Sequence, residues 1–398
     1  MAASRKHSKN SGESAEHNRS IEELLHASQT GDANAQCDLG MCYEHGIGVI
    51  KDLKIAEELY RKSAEQGFAD GQFCLATLLL TELSIETDEK IKIITTPDRI
   101  NEVLYWYRKA ANQGETQSLY QLGLFYQNGW GVEKDFSEAA KLFQKASELD
   151  FPAAQYALAL LYGEGNGVKR NLRRAFNLYK AAAEQGYSRA QCNLGLCYLR
   201  GEGTIRNAKK GINWLMKSAA QEYPYAELHL GACYYRGQGV SENHTEAAKW
   251  YAKAAEHGNV EAIFMIGYCY ENGDGIERDE KKAFECYSQA ADSDFTSAIH
   301  NLGCCFYFGI GTAKNIKDAI HCWGISAEKG HPDSQFNLGM MLLTGDGVEV
   351  NVDRAVEYLS RASHNGNAKA TDILAKLKYS NIPYYENVSF QTNCTNNY

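Results

Sequence analysis

Small and apolar residues recur at a fixed interval along most of this chain, and the interval predicts the fold. One small residue returns every 36 positions. The members of this series are Gly123, Ala159, Gly195, Gly231, Gly267, Gly303 and Gly339. Gly40 and Ala76 keep the same interval before an insertion of 11 residues shifts the frame. A fixed period of about 20–50 residues is typical of a repeat array. The sequence therefore consists mainly of one unit that is repeated about nine times.

The pattern inside one period predicts two amphipathic helices, here called helix A and helix B. Ala226, Leu230 and Tyr234 are spaced i, i+4, i+8, which places them on one stripe of helix A. The stripe of helix B is formed by Ala247, Trp250, Tyr251, Ala254 and Ala255. Gly237 and Gly239 lie between the two stripes, where glycine ends a helix and opens a turn without a Cβ penalty.

Both ends of the array depart from the period in the way a solenoid requires. Ile21–Ser28 has the pattern of an isolated helix B. Ala370, Leu374 and Ala375 repeat the start of a helix A that has no partner. Terminal elements that cover an otherwise exposed face cap such arrays. The predicted organisation is a flexible N-terminal arm over residues 1–20, a solenoid over 21–378 and a C-terminal tail over 379–398.

The second repeat carries the insertion. Residues 81–101 replace its glycine turn, and the stretch IKIITTPD within them combines β-type composition with a proline. This composition predicts a projecting loop or hook. Long insertions in a repeat map to one face and are often functional, so the loop is also a candidate binding element.

The repeat resembles the Sel1-like repeat, a longer-looped relative of the tetratricopeptide repeat. The resemblance rests on the pattern A-x-x-x-L-G-x-x-Y-x-x-G-x-G-V followed by A-x-x-W/L-Y-x-K-A-A-x-x-G. It is most complete at Ala190–Glu222, Ala226–Gly258 and Ala262–Asp294. The resemblance implies an all-α fold, an α/α superhelical solenoid of about nine 36-residue repeats with capping helices and with helix A on the concave side. It also implies adaptor or scaffold proteins that hold other proteins.

Composition and cysteine spacing narrow the classes of function and the cellular compartments that are expected for this protein. The net charge of −9 argues against a nucleic-acid-binding surface, and no stretch approaches the ~18–20 apolar residues of a membrane-spanning helix. Five cysteines share one repeat position: Cys42, Cys197, Cys233, Cys269 and Cys305. Neighbours in that series should lie about 8–10 Å apart, too far for a disulfide. We therefore expect buried thiols in a reducing, cytoplasmic compartment.

No constellation for catalysis, for a cofactor or for a metal is visible in the sequence. The G-x-G-V turns lack the third glycine of a dinucleotide loop and follow helices. The eleven histidines are dispersed, with no H-E-x-x-H and no pair at i, i+4. The sequence therefore predicts a non-enzymatic protein without cofactor or metal.

The solvent-facing stripe of helix A is the predicted binding surface. On a wheel of about 100° per residue, positions −2, +1 and +5 from the repeating glycine fall within about 60° of one another. The predicted contact residues are Asn193, Arg200, His229, Arg236, Met265, Tyr268, Asn272, Asn301, Phe308 and Asn337. The first four form a polar, cationic patch, and Met265, Tyr268 and Phe308 form an apolar, aromatic patch. Arginine suits carboxylate recognition and aromatics suit anchoring, so an extended peptide with an acidic and a bulky apolar side chain is expected here.

The leading expectation is thus an interaction scaffold, monomeric in isolation, that binds a protein or peptide on its concave helix-A surface. Two alternatives stay open. One is a bacterial effector that is delivered into a host and binds host proteins. The other is an activator or regulatory subunit of a membrane or cell-wall enzyme.

Overall fold

Each helical hairpin is defined by chemically specific ends. Helix A of the repeat discussed above ends at Arg236, and Gly237 follows in the left-handed region at φ 63°, where its N–H donates to the carbonyl of Cys233. Helix B then begins after Asn243, whose side chain accepts from the N–H of Glu246. Left-handed glycine at the end of a helix and asparagine or aspartate before its start satisfy backbone groups that would otherwise lack partners.

The computed structural model describes residues 19–86, 91–93 and 97–379. The helices of these residues are α1 Ile21–Gln29, α2 Ala33–His45, α3 Leu53–Glu65, α4 Ala69–Leu83, α5 Pro97–Asn112, α6 Thr116–Asn128, α7 Phe136–Glu148, α8 Pro152–Glu164, α9 Leu172–Glu184, α10 Ser188–Arg200, α11 Ala208–Ala219, α12 Pro224–Arg236, α13 His244–Glu256, α14 Val260–Asn272, α15 Glu280–Asp292, α16 Thr296–Phe308, α17 Ile316–Glu328, α18 Pro332–Thr344, α19 Val352–His364 and α20 Ala368–Tyr379. Two strands, β1 Ser84–Glu86 and β2 Ile91–Ile93, complete the described elements. The all-α fold of repeated hairpins is confirmed.

The chain divides into two compact units between Tyr187 and Ser188. In the first unit, α1 packs on α2 and the hairpins α2–α3, α4–α5, α6–α7 and α8–α9 follow one another. In the second unit, four hairpins run from α10–α11 to α16–α17, and α18–α19 is followed by the single helix α20. Each unit is therefore an array in which a helix packs mainly on its neighbours in sequence, and α1 and α20 are the two predicted capping helices.

The predicted insertion is shorter in the structure than in the sequence analysis. Thr81–Leu83 continue helix α4, and Pro97–Asn101 already belong to α5. Between the two helices, β1 and β2 pair antiparallel with Ser84 opposite Ile93. The predicted loop or hook thus contains two short antiparallel strands. The β-type composition noted in the sequence is consistent with that pairing.

The predicted N-terminal arm also loses its last two residues to the array. Arg19 pairs with Asp32 at 2.9 Å, and Ser20 caps α1 in a reciprocal arrangement with Glu23. Asp32 in turn caps α2, so Arg19 and Ser20 help to fix the start of α1 against α2. Residues 1–18 of the predicted arm and 380–398 of the predicted tail lie outside the described residues, whereas Tyr379 is the last residue of α20. Among the described residues, no helix has the length and apolar character needed to cross a bilayer.

The repeating glycine makes room for a large side chain twenty positions later. A Cβ on Gly231 would lie 2.6 Å from the ring of Tyr251, and one on Gly303 would lie 2.6 Å from the ring of Trp323. The residues at this position of helix B are Tyr60, Tyr107, Phe143, Tyr179, Leu215, Tyr251, Tyr287, Trp323 and Leu359, and all are buried. The aromatic residues three positions after the glycine, Tyr234 among them, do not take this role, because their side chains are only half-buried.

The second glycine of each turn is required by the preceding hairpin. Gly275 has φ 74°, and a Cβ on it would lie 2.1 Å from the carbonyl oxygen of His244. Gly311 relates to the carbonyl of Glu280 in the same way. His244 and Glu280 are the first residues of the preceding helices B, α13 and α15. This glycine therefore allows consecutive hairpins to approach at backbone distance.

Side-chain amides spaced 30 positions apart, or 41 where the insertion intervenes, connect the two helices of a hairpin. Gln221 donates to Gln191 at 2.8 Å, and Gln113 donates to Gln72 at 2.9 Å. The same contact joins Gln66 to Gln36, Gln185 to Gln155, and Asn365 to Gln335. The helix-A glutamine of this pair also donates to a carbonyl of the preceding helix B, as Gln335 does to Ala327 at 2.9 Å. The rungs at Gln36, Gln72 and Gln335 thus tie three helices, and the buried glutamine amide of each has its hydrogen bonds satisfied.

One rung of this series is charged. Glu227 is 2% exposed, and its carboxylate lies 2.7 Å from Nδ1 of His257. The hydrogen bond to Glu227 raises the pKa of His257 above its ordinary value, and the charges of Glu222 and Glu256 act in the same direction. Because the folded pKa is raised, the pair stabilises the fold fully below about pH 6.5, and this stabilisation is lost as the pH rises through the folded pKa.

We expect the thermal midpoint of the protein to fall as the pH rises from about 6 to about 9, in part because His257 loses its proton. The double variant Glu227→Gln/His257→Gln rebuilds the neutral pair seen at Gln191 and Gln221, so its slope against pH should be shallower. Calorimetry of both proteins across this pH range measures the difference. Equal slopes would contradict the assignment.

Among the residues that the structure describes, the cysteines follow the prediction with one exception. The five cysteines of the shared repeat position are free thiols, and burial raises the pKa of Cys233 to about 11 and that of Cys269 to about 12. Thiols with raised pKa values are poor nucleophiles. Cys304, which lies outside that series, is disulfide-bonded, so the expectation of thiols throughout is wrong at this residue.

Candidate functional site

The exposed part of the predicted stripe is a row of helix ends in the second unit. Arg200, Arg236, Asn272 and Phe308 are the last residues of α10, α12, α14 and α16. All four are exposed, and each is followed by a glycine with positive φ. Because the hairpins repeat the same geometry, the row presents one side chain per repeat. These four sequence-predicted residues are therefore brought to equivalent positions.

The positive charge of the row comes from its two arginines. Arg200 lies 3.8 Å from Glu202, and about half of its side chain is exposed. His229, which was predicted to share in the cationic patch, is half-buried on α12. Burial lowers the pKa of His229 to about 4, and the charge of Arg200 acts in the same direction. His229 is therefore neutral at neutral pH and offers hydrogen bonds rather than charge.

The other predicted positions are less accessible than the row of helix ends. Asn193 and Met265 are half-buried, so they can form only the floor of a surface. Asn301 is 4% exposed and Asn337 is 0% exposed, so their prediction as partner contacts is wrong. The amide of Asn301 hydrogen-bonds to Tyr287, whose hydroxyl donates to Glu271 at 2.6 Å. Asn337 lies on α18, where every residue from Ser334 to Leu343 is buried.

Tyr268, predicted as an aromatic anchor, belongs to a polar cluster that the sequence analysis missed. Its hydroxyl and the carboxylate of Asp274 are hydrogen-bonded to Tyr235, and burial with these bonds raises the pKa of Tyr235. Asp274 also contacts Nδ1 of His244, whose ring stacks on Tyr235 with centroids 4.6 Å apart. The hydrogen bond to Asp274 raises the pKa of His244. The spacing of 30 between His244 and Asp274, which also relates the amide rungs, is the signal that sequence reading could have used.

Asn272 and Phe308 complete the row at its apolar end. The side-chain amide of Asn272 donates to the carbonyl of Tyr268 at 2.9 Å, which fixes its orientation. Phe308 is 49% exposed and meets the ring of Tyr307 edge-on, with centroids 4.9 Å apart. An exposed aromatic ring held by a buried neighbour is suited to contact an apolar side chain of another molecule.

A depression of about 660 Å³ lies elsewhere, on α17. Its lining residues are Ile320, His321, Gly324, Ile325, Glu328 and Lys329. All of them belong to the last turns of one helix or to the residue after it, and a Cβ on Gly324 would meet nothing within 4 Å. Small-molecule sites bury a ligand between several elements with convergent polar groups, and this depression has neither property.

The chain matches the model of the Sel1 repeat over residues 33–68, 104–115, 116–151, 152–187, 188–223, 224–259, 260–295, 296–331 and 332–367. The sixth of these segments contains the charged rung, and the junction between the fourth and fifth coincides with the boundary between the two compact units.

Curated relatives share part of the array. Chitin synthase regulatory factor 3 of Schizosaccharomyces pombe is 32% identical over 142 residues, which are 35% of this chain and 14% of that protein. DAP3-binding cell death enhancer 1 of Rattus norvegicus is 31% identical over 161 residues, which are 31% of this chain and 29% of that protein. The alignments thus span less than a third of either relative.

Solved structures share a larger part of the repeat array. A protective antigen of uropathogenic Escherichia coli with an SLR fold superimposes with a TM-score of 0.61 at 28% identity, covering 94% of this chain and 68% of that chain. A Sel1 repeat protein from Oxalobacter formigenes superimposes with a TM-score of 0.55 at 30% identity, covering 61% of this chain and 96% of that chain. With nine matched segments and these neighbours, the chain belongs to the Sel1 repeat family.

Proposed function

We propose that this protein is a non-enzymatic scaffold that binds an extended segment of a partner protein along the row Arg200, Arg236, Asn272 and Phe308. The observation that carries the proposal is the regular exposure of these side chains, one at the end of each successive helix A. The regulators among its relatives are consistent with a role exerted by binding. The protein acts as a monomer in this proposal.

The spacing of the row fits a peptide of defined conformation. Packed helices lie about 8–10 Å apart. A polyproline II segment rises ~3.1 Å per residue and returns to the same face every third residue, about 9 Å further on. Acidic side chains at positions i and i+3 would then meet Arg200 and Arg236, and an apolar side chain at i+9 would meet Phe308. The planar guanidinium fork suits paired contacts with carboxylates.

We expect Arg200→Ala/Arg236→Ala to weaken binding of such a peptide about tenfold or more, since each arginine would supply an interface contact of at least about 1 kcal/mol. The probe is a labelled synthetic peptide with glutamate at i and i+3 and phenylalanine at i+9, titrated by fluorescence anisotropy. Both arginines are exposed, so the thermal midpoint should not change.

The matched control is Lys249→Ala/Lys281→Ala, which removes the same charge from exposed positions on helices B. It should leave the affinity within about twofold, because exposed ion pairs away from the site contribute little. Equal affinities of the wild-type protein and the arginine variant would show that this surface is not the binding site. Equal losses in both variants would show attraction to net charge alone.

A second candidate function is regulation of a membrane or cell-wall enzyme, favoured by the similarity to chitin synthase regulators of two yeasts and of Malassezia restricta. Affinity capture from the native cells, carried out with the full chain and in parallel with the arginine variant, distinguishes between these functions. Recovery of a membrane-bound polysaccharide synthase that depends on the two arginines would support the regulatory role. The effector alternative, in which the same row binds a host protein, predicts instead that export of the protein precedes binding.

A further inference from the structure

One contact type recurs between the start of a helix A and the residue that precedes the next helix A. In the second unit, Phe264 and Phe295 form it, with ring centroids 5.3 Å apart. In the first unit, Tyr120 meets Phe151 at 5.4 Å, and Tyr156 meets Tyr187 at 5.5 Å. The two members of each pair are 31 positions apart. Aromatic pairs therefore fill this position in three repeats, whereas other repeats carry Leu228 with Asn259 or Phe336 with Asn367.

In the next repeat of the second unit, both members of this pair are histidines. His300 and His331 stack with centroids 4.4 Å apart and an angle of 16° between the rings. His300 is 0% exposed, and His331 is half-buried. Two imidazoles are a poor substitute for aromatic packing, because each brings polar nitrogens into a buried contact. The two histidines thus place ligand-forming nitrogens at a position where three other repeats have aromatic pairs.

A third group with ligand chemistry lies beside the two rings. The carboxylate of Asp333, in the first turn of α18, offers an oxygen, and the ligand atoms of His300, His331 and Asp333 all lie within 4.8 Å of one another. The three residues come from α16 and from the start of α18. The sequence analysis predicted no metal site, because the residues come from separate repeats and match no short ligand motif.

Neighbouring side chains hold these groups in place. Nδ1 of His300 is hydrogen-bonded to Oγ of Ser334 at 2.7 Å, and the amide of Asn367 donates to Asp333 at 2.7 Å. Metal-binding histidines and carboxylates are usually oriented by such outer partners. His331 caps α18 through a long contact, 3.4 Å from the N–H of Ser334 to Nδ1, so its ring can turn with little loss. Sγ of Cys304 lies 3.5 Å from Nε2 of His300, but a disulfide sulfur is not a thiolate ligand.

We propose that His300, His331 and Asp333 bind a divalent transition-metal ion, with Zn²⁺ as the ion that this ligand set fits. Two imidazoles and one carboxylate are a familiar three-ligand set for zinc, and a water molecule occupies the fourth position of the tetrahedron. The half-buried side of His331 and Asp333 gives the ion a route of entry. The bound ion links α16 to α18 and so fixes one hairpin on the next.

The test compares Zn²⁺ binding by the full chain and by His300→Phe/His331→Phe, measured by isothermal titration calorimetry. The double variant restores the Phe–Phe pair of the preceding repeat and is therefore expected to fold. The wild-type protein should bind one ion that the double variant binds roughly 100-fold or more weakly, since even loss of outer partners costs 10–100-fold. Co²⁺ gives a second readout, because the ring of Trp323 lies 6.4 Å from that of His300 and its fluorescence should be quenched only in the wild-type protein.

Asp333→Asn serves as a second variant, because it retains an acceptor for Asn367 while removing the charged ligand. It should weaken Zn²⁺ binding without lowering the metal-free thermal midpoint. The control His321→Ala removes a histidine from α17 and should not change the affinity. Absence of saturable binding to the wild-type protein, or equal affinities for the wild-type protein and both site variants, would overturn the proposal.

Discussion

Gly275→Ala is expected to destabilise the second unit by about 2–5 kcal/mol. A left-handed backbone costs a residue with a Cβ roughly 1–2 kcal/mol, and Gly275 has φ 74°. The new Cβ would also lie 2.1 Å from the carbonyl oxygen of His244. That carbonyl is backbone in the preceding hairpin and cannot rotate away, so overpacking adds about 1–3 kcal/mol. Urea unfolding followed by circular dichroism measures the loss.

Gly258→Ala separates the two causes. Gly258 has φ 81°, but a Cβ on it would meet nothing within 4 Å. Only the conformational cost of about 1–2 kcal/mol should appear. If both variants unfold at the same urea concentration, the close approach of consecutive hairpins at Gly275 does not constrain the fold.

Trp323→Ala is expected to cost about 3–5 kcal/mol, the usual range for removing a large buried aromatic side chain. Trp323 is 0% exposed, and its ring fills the space opposite Gly303. Its Nε1 donates to the carbonyl of His300 at 3.1 Å, so alanine also leaves that carbonyl without this donor. Chemical denaturation of the full chain reports the loss.

Trp323→Tyr provides the comparison, because tyrosine occupies the same repeat position at Tyr251 and Tyr287. It should cost less than half as much as alanine, since most of the cavity is refilled. If tyrosine is as damaging as alanine, the position is not interchangeable between repeats, and the packing would have to be specific to each hairpin.

The hairpins could be predicted from the sequence because their signals are local and repeated. Most repeats have glycine after helix A, asparagine or aspartate before helix B, and apolar stripes on both helices. Because these signals recur, a chance match in one repeat does not change the prediction. The side chain that packs against the repeating glycine could not be predicted in the same way. Tyr234 and Tyr251 are both aromatic and both in register, and only the crossing of the two helices shows that Tyr251 lies against Gly231.

The candidate site was predictable in part for a related reason. A helical wheel separates buried from solvent-facing positions of one isolated helix, and it placed Arg200 and Arg236 correctly on the surface. It takes no account of neighbouring helices. Asn301 therefore hydrogen-bonds to Tyr287 instead of facing solvent. His229 is buried enough for its pKa to fall to about 4, so it is uncharged at neutral pH. Contacts at spacings of 30 and 31 depend on the geometry of a whole hairpin, which no single helix encodes.

The insertion in the second repeat leaves the hairpin that carries it unchanged. Gln113 still reaches Gln72 at 2.9 Å, and Tyr107 still lies 3.2 Å from Thr77, although 11 extra residues separate α4 from α5 compared with other repeats. Lengthening a connection costs little free energy when the ends it joins stay in place. This junction is thus a point at which evolution, or protein engineering, can graft new sequence into the array without disturbing its neighbours.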